Sequence, residues 1–551
     1  MVPAPTGREQ VKGLQAQVEV SRDSLGIPLI EAQNEEDLAF AMGYVAAEDR
    51  LSQMIGLKLT AAGRLAEMSG KSMLDIDFYM RCVDLNKVAQ LLYEASSPET
   101  KRTLQRYAEG INAYVANHKL PPDLQLAGYS PDPWQPQDSV KVFALINLGL
   151  ALNAREELVY LQLAQKLGAE RAVWLIPIYP DEALPFSEAK KLAGVDLSGN
   201  RDILEQLSAL ELRLAVLVKR PFAASNNWAV QGSRTAKGVS ILANDTHLPL
   251  SMPSVWHYVH AKAPGYDAAG VAIAGAPGAV LDFNGRLAWG ATMVMSDNQD
   301  IFLEELMTIA GKLYYRKGSD WLPATERVER FQVKGDKPVT RTFYETRHGP
   351  LLNSALSSTF GPEVTPTPVK SRYGLALSWS ALEADRTLDG VLGVAHAQSV
   401  AEATPIMQDV RAIALNYVYA DRDHIAWQVT GRYPLRNNGR GKLPSPGWVE
   451  DYDWTGYLPV AKHPTQLDPP EGFVSTANQR IVPADFPYVL SSSLVLSGAG
   501  GADRRAVEPR WRAYPEGDAK HAIRSAQPDR EQATSGVAAP ADGGRHQQAI
   551  G

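Results

Sequence analysis

The segment Phe222-Ala223-Ala224-Ser225-Asn226-Asn227-Trp228-Ala229-Val230 sets a serine among small residues just ahead of an apolar run. On residue types alone it reads as a loop entering a strand, with Ser225 as a capping serine. The motifs that would announce a hydrolase or a phosphate-binding loop directly are missing: there is no G-x-S-x-G elbow, no H-E-x-x-H, no G-x-x-x-x-G-K and no G-x-G-x-x-G. The ten histidines are scattered without ligand spacing. Taken singly, His247 reads as a capping or core histidine and Asn478, in Thr476-Ala477-Asn478-Gln479, as a turn asparagine. Asp297 and Asp300, in SDNQDIF, place two carboxylates three apart with carbonyls between them. Such hard oxygens suit calcium, and solvated loop acids are an equal reading.

The elements that must position these residues change character along the chain. Residues 18–32 alternate and break at Gly26 and Pro28, as two short strands with a turn would. Residues 35–67 repeat apolar positions at three- and four-residue steps and predict a helix, as do 84–118 and 138–168, with a Pro-rich loop over 119–137. The segment 201–224 reads as one more helix followed by a linker. From 225 to about 490 short strands dominate, and Asn284-Gly285 between apolar runs signals a hairpin. A helical block followed by a strand-rich block predicts an α+β fold rather than a parallel α/β sheet. The expected division is a helical region 1–200, a spacer 201–224, a catalytic region 225–492 and a tail 493–551.

Composition excludes several function classes. The chain is 551 residues, 45% hydrophobic and 21% charged, with a formal net charge of −7. That is enough apolar mass for a large core, and too acidic a balance for a nucleic-acid partner. The lone Cys82 permits neither an internal disulfide nor a cysteine metal site. The start, MVPAPTGREQ, carries no apolar signal region, and no uncharged apolar run reaches membrane-spanning length. A soluble protein with no membrane partner is expected, and localisation stays open because a signal could lie upstream of this start.

Ser225-Asn226-Asn227-Trp228 resembles the start of the β chain in the penicillin acylase family of N-terminal-nucleophile hydrolases. The resemblance runs in order through Asp37 to Tyr44 (DLAFAMGY), Glu48 to Leu51 (EDRL), Gly63 to Glu67 (GRLAE), Tyr107 to Tyr114 (YAEGINAY) and Pro133-Trp134. It resumes in Asn244 to Leu248 (NDTHL), Phe283-Asn284-Gly285, Trp289 to Thr292 (WGAT), His348-Gly349-Pro350 and Ser475 to Asn478 (STAN).

The resemblance implies an αββα sandwich preceded by a mostly helical α chain. It also implies self-cleavage of the Ala224–Ser225 bond, so that α and β chains arise from one precursor and Ser225 gains a free α-amine. With a pKa of about 7.7–8.0, that amine is partly neutral near pH 7 and can act as base for its own hydroxyl, with a bridging water. The backbone N–H of Met293, the side chain of Asn478 and the neighbouring His247 are the implied groups around the developing oxyanion. Arg432 and Arg436, flanking a Gly/Pro turn, are expected to be structural.

Leu248, Leu281 and Ala291 fall at acyl-pocket positions. Aliphatic residues there, where phenylacetyl-selective relatives carry aromatics at two places, favour an aliphatic acyl group, as in an acyl-homoserine lactone or an aliphatic penicillin side chain. Some relatives bind calcium at Asp297 and Asp300 with a carboxylate from the helical chain, here Glu157 or its neighbour Glu156. No redox cofactor is required. The expected partner is a small acyl amide, and the alternative is a non-catalytic remnant that only binds acylated ligands.

Relatives continue past an Asn like Asn478 into a W-x-x-P-x-R-A-x-R-I-x-E-L-L helix, whereas this chain reads LVLSGAGGADRRAVEP. Codons shifted by one nucleotide permit the family's residues at these positions, so a frameshift near residue 493 and a missing C-terminal part of the catalytic domain are expected.

Overall fold

A computed structural model describes residues 7–151, 153–179, 182–217, 224–278, 280–356, 372–483 and 485–491. The expected tail 493–551, with its frameshift, and residues 218–223 of the expected spacer lie outside the described residues.

Five helices organise the N-terminal region: α1 (Glu35–Ala62), α2 (Pro98–Asn117), α3 (Pro136–Leu150), α4 (Asn153–Leu167) and α5 (Arg201–Leu217). Helix α1 begins where the Asn34 side chain accepts from the Asp37 N–H (2.8 Å) and ends at Gly63, whose φ of +61° makes a left-handed C-cap. The expected 84–118 helix is two, Leu85–Ala95 and α2, because Ser97 caps a new start and Pro98 occupies its first turn. Likewise 138–168 breaks near Ala151 into α3 and α4. The expected loop 119–137 holds a short helix, Pro122–Leu126, and gives way to α3 at Pro136.

Helices α1 and α2 approach until their backbones meet. A Cβ on Gly43 would lie 2.0 Å from the Tyr107 carbonyl oxygen, and one on Gly110 would lie 1.8 Å from that of Phe40. Only glycine fits either position. The Asp37 carboxylate, fully buried beside this crossing, accepts from the Gln15 and Ala16 N–H groups and from Arg106. Two parts of the sequence pattern, DLAFAMGY and YAEGINAY, are therefore explained by packing.

The strands that matter for the site are β1 (Glu19–Arg22), β2 (Pro28–Glu31), β3 (Ala224–Val230), β4 (Ile241–His247), β5 (Trp256–Ala263), β6 (Tyr266–Ile273), β7 (Leu281–Phe283), β8 (Ala288–Met293), β9 (Gln299–Ile309), β10 (Tyr373–Trp379), β11 (Leu415–Ala420), β12 (Ile425–Val429), β13 (Thr465–Leu467) and β14 (Phe473–Thr476). A nine-stranded sheet runs β1-β2-β5-β6-β7-β8-β11-β12-β13. Its β2–β5 pair is parallel (Leu29↔His260), and every other pair is antiparallel. A three-stranded sheet places β3 between β14 and β4. Strand β9 pairs antiparallel with β10.

The expected hairpin at Asn284-Gly285 joins β7 to β8, with the Asn284 N–H donating to the Leu287 carbonyl and Gly285 at φ +83°. One apolar core spans the helices and the inner faces of the large sheet, from Leu38, Met54 and Leu104 to Trp289, Leu415 and Tyr417. Helices and antiparallel strands thus combine as the α+β expectation has it. The two halves are not separate bodies, because β1 and β2 from the helical region enter the sheet built by the strand-rich region.

The α1–α2 crossing gives a direct test. Gly110→Ala inserts a methyl into backbone, and overpacking of this kind costs about 1–3 kcal/mol or more. Its thermal unfolding midpoint is expected to fall well below that of a Gly56→Ala protein, where a Cβ meets nothing within 4 Å.

Candidate active site

Ser225 is the second residue of β3 and is 5% exposed. It is not a loop cap, since β3 is hydrogen-bonded on both sides: Ser225 pairs with Thr246 on β4, and Asn227 pairs with Asn244 on β4 and Thr476 on β14. The Ser225 N–H donates to the Asn478 Oδ1 at 2.6 Å. The Asn478 amide nitrogen lies 3.4 Å from the Ser225 Oγ and donates to the Met293 carbonyl at 2.9 Å. Asn478 lies two residues past the end of β14 with φ +61°, a left-handed conformation that asparagine tolerates better than most residues and that aims its amide back at Ser225. Ser225, Asn478 and Met293 are therefore brought together by side-chain and carbonyl contacts. His247 ends β4 opposite Ala224, one register step from Ser225, half-buried, with its Nε2 at 3.1 Å from the Asp245 carboxylate.

A buried amide lattice holds β3 against β8 and β11. The Asn244 side chain accepts from the Ala291 N–H (2.7 Å) and donates to the carbonyls of Ala291 (3.2 Å) and Asn226 (2.9 Å). Gly290 is required beneath it, because a Cβ there would sit 2.6 Å from the Asn244 Oδ1. Asn227 accepts from the Thr476 hydroxyl (2.6 Å), which also bonds the Thr292 hydroxyl. Asn416 donates to the Met293 carbonyl (3.2 Å) and accepts from the Trp427 indole (3.1 Å). Asn227 and Asn416 are fully buried, so each lost bond would strand a polar group without water. The sequence reading gave Asn227, Asn244, Asn416 and Thr476 no role. A usable signal was present for Asn416, a lone amide inside the apolar run IALNYVYA.

Ser225 opens onto an almost wholly apolar cavity of about 140 Å³. All three expected pocket residues, Leu248, Leu281 and Ala291, line it. So do Phe143, Ile146 and Leu150, which lie along one face of α3 and were not anticipated, and the aromatic rings of Trp256 and Tyr417. The wall is thus mixed aliphatic and aromatic, not aliphatic alone.

Asp297, Asp300 and Glu157 are all buried and close together, but an internal cation already stands between the aspartates. The Arg436 guanidinium donates to the Asp297 Oδ1 (2.6 Å), the Asp300 Oδ2 (2.7 Å) and the Asp300 Oδ1 (2.9 Å). The Trp454 indole adds a bond to Asp300 (2.5 Å), and the Ile301 N–H donates to Glu157 (3.2 Å). Burial, Asp300 and Asp297 push the Glu157 carboxyl well above its usual range. Burial raises Asp297 to about 7 against the pull of Arg436. Glu156 faces Lys442 instead, at 3.8 Å. Among the described residues no three His, Cys, Asp or Glu side chains converge to hold a metal. The donor set fits a guanidinium bridging two carboxylates better than the expected calcium cage. Arg432, as expected, is structural: it is buried against the Ser380 and Ala384 carbonyls and Asp385.

Residues 17–515 match the penicillin amidase family, so the chain belongs to that family, and the match runs past residue 493, where a change of frame is expected. Over 494 residues it is 49% identical to the acyl-homoserine lactone acylase QuiP of Pseudomonas aeruginosa, covering 89% of this chain and 58% of that protein. It is 32% identical over 499 residues to the penicillin acylase 2 proenzyme of Pseudomonas sp. strain SE83, covering 89% of this chain and 62% of that protein. A thermostable penicillin G acylase from Alcaligenes faecalis matches at TM-score 0.43 and 21% identity, over 51% of this chain and 49% of that one. The chain spans about three fifths of the length of the curated relatives it matches.

Removing one partner of a buried ion pair costs about 3–5 kcal/mol. Arg436→Met is therefore expected to lower the thermal unfolding midpoint strongly. Arg436→Lys should rescue it only in part, since a point charge cannot span both carboxylates. Addition of EDTA should leave the native chain's midpoint unchanged, and a fall on chelation would assign the cluster to a metal.

Proposed function

We propose that this chain is an amide hydrolase that removes an acyl group from a small acyl amide through an acyl-Ser225 intermediate, after cleaving its own Ala224–Ser225 bond. The observation that carries this reading is the position of Ser225, with its N–H and hydroxyl both at the Asn478 amide and its side chain at the mouth of an apolar cavity. Membership of the penicillin amidase family, with relatives named as acylases, supports it.

In the maturation step the Ser225 hydroxyl attacks the Ala224 carbonyl carbon. The C–N bond breaks as the C–O bond forms, and water opens the resulting ester to give an Ala224 carboxylate and a free Ser225 amine. In turnover that amine, through a water, takes the hydroxyl proton as Oγ attacks the substrate carbonyl. The proton is then delivered to the leaving amine, and water hydrolyses the acyl ester. The Asn478 amide and the Met293 N–H are the proposed oxyanion donors, with His247 beside them. Loss of one such donor costs about 2.7–4 kcal/mol of barrier. N-acyl-homoserine lactones and aliphatic penicillins are the proposed substrate classes, and the apolar wall formed by α3, Leu248, Leu281 and Ala291 takes the acyl chain.

Intact-mass spectrometry checks the first step: two chains divided at Ala224–Ser225 are expected, and a single chain from Ser225→Ala. A native chain that stays uncut would instead support a remnant that binds acylated ligands without turnover. For the pocket, Leu281→Phe adds bulk and is expected to lower kcat/KM for long acyl chains about tenfold or more relative to short ones, read from hydrolysis of an acyl-length series.

A further inference from the structure

We infer that Tyr417 selects for an oxygen on the acyl chain, so that the preferred substrates are acyl amides bearing an oxo or hydroxyl group along the chain; this rests on the acylase reading above. Four side-chain hydroxyls belong to residues lining the apolar cavity: Ser225, Thr246, Thr292 and Tyr417. Three are accounted for. Ser225 is the proposed nucleophile, Thr246 accepts from the Trp256 indole at 2.8 Å, and Thr292 bonds Thr476 and Asn416. The Tyr417 hydroxyl makes no hydrogen bond to any described residue, although the residue is only 2% exposed.

The strand register fixes which way this ring faces. On β11, Leu415 and Tyr417 share a face, and their partners on β8 are Met293 and Ala291. All four line the cavity. The Met293/Leu415 pair stands at the level of the Asn478 amide, since the Met293 carbonyl takes the Asn478 bond. The Ala291/Tyr417 pair lies two residues further along, about 7 Å at the rise of a strand. Tyr417 therefore borders the path of the acyl chain beyond the scissile carbonyl and does not touch the nucleophile.

The hydroxyl is open to the cavity and not sealed in protein, so a bound ligand that displaces water from it leaves an unmet bond, a cost that only a group on the ligand can relieve. An unbranched hydrocarbon chain cannot relieve it. A chain oxygen can, as a carbonyl accepting from the phenol or as a hydroxyl exchanging a bond with it. A site built to bond such an oxygen rejects the analogue that lacks it far more strongly than an apolar wall rejects one methylene.

The test compares acyl amides of one chain length and one leaving amine, either unsubstituted or carrying an oxo or hydroxyl group at carbon 3, 5 or 7. With the native chain, kcat/KM should be highest for one of the oxygenated chains, mainly through KM. In Tyr417→Phe, which keeps the ring, the ratio of oxygenated to unsubstituted kcat/KM should fall about tenfold, the worth of one hydrogen bond of about 1.4 kcal/mol. Unchanged ratios in Tyr417→Phe, or a native preference for the unsubstituted chain, would overturn the inference while leaving the acylase reading intact. Failure of the native chain to cut any of these amides would overturn both.

Discussion

The interaction on which the site depends is the contact between the Asn478 amide and Ser225. One side chain holds the Ser225 N–H, reaches its hydroxyl and fastens to the Met293 carbonyl. It can do so only if β14, β3 and β8 are fixed relative to one another. The carboxamides of Asn227, Asn244 and Asn416 perform that fixing, since their paired donors and acceptors match backbone edges with little tolerance for sliding. Residues 225, 244, 293, 416 and 478 are remote in sequence, so the site forms only when the sheets have assembled. Such a topology is slow to fold.

The cavity depends on a second constraint, the close crossing of α1 and α2. Helix α3 packs against both, and its Phe143-Ile146-Leu150 face closes the apolar cavity opposite the strands. Glycines at 43 and 110 therefore bear on the shape of the cavity from a distance, through the seating of α3. Beyond the end of β8 the guanidinium of Arg436 bridges Asp297, in the turn that follows, and Asp300, at the start of β9. A buried salt bridge of this kind contributes little net stability compared with apolar packing, but it holds the segment between Met293, at the end of β8, and the start of β9 to one arrangement.

Much of this was legible in the sequence. Periodicity gave the helices, the Asn-Gly pair gave the β7–β8 hairpin, and the ordered family pattern singled out Ser225, Asn478 and the three pocket residues. The helix breaks at Ser97 and Ala151 were harder, because apolar periodicity continues across them and the first is marked only by a cap and a proline. The fate of Asp297 and Asp300 was not legible. A carboxylate pair looks the same whether a metal or a guanidinium 136 residues away neutralises it. The α3 wall was hidden for a related reason: a buried helix is apolar on several faces, and periodicity does not say which one borders a void.

Strands β1 and β2 lie far ahead of Ser225 in sequence, yet β2 pairs directly with β5, which lies after it. A chain severed before Ser225 would therefore share one sheet between its two products. Separating them would expose an unpaired strand edge and part of the common core, so dissociation and denaturation would be a single event. Each fragment made alone would lack the template for its own edge. The cut, if made, must follow folding, and the covalent link would then serve assembly and be dispensable to the assembled state.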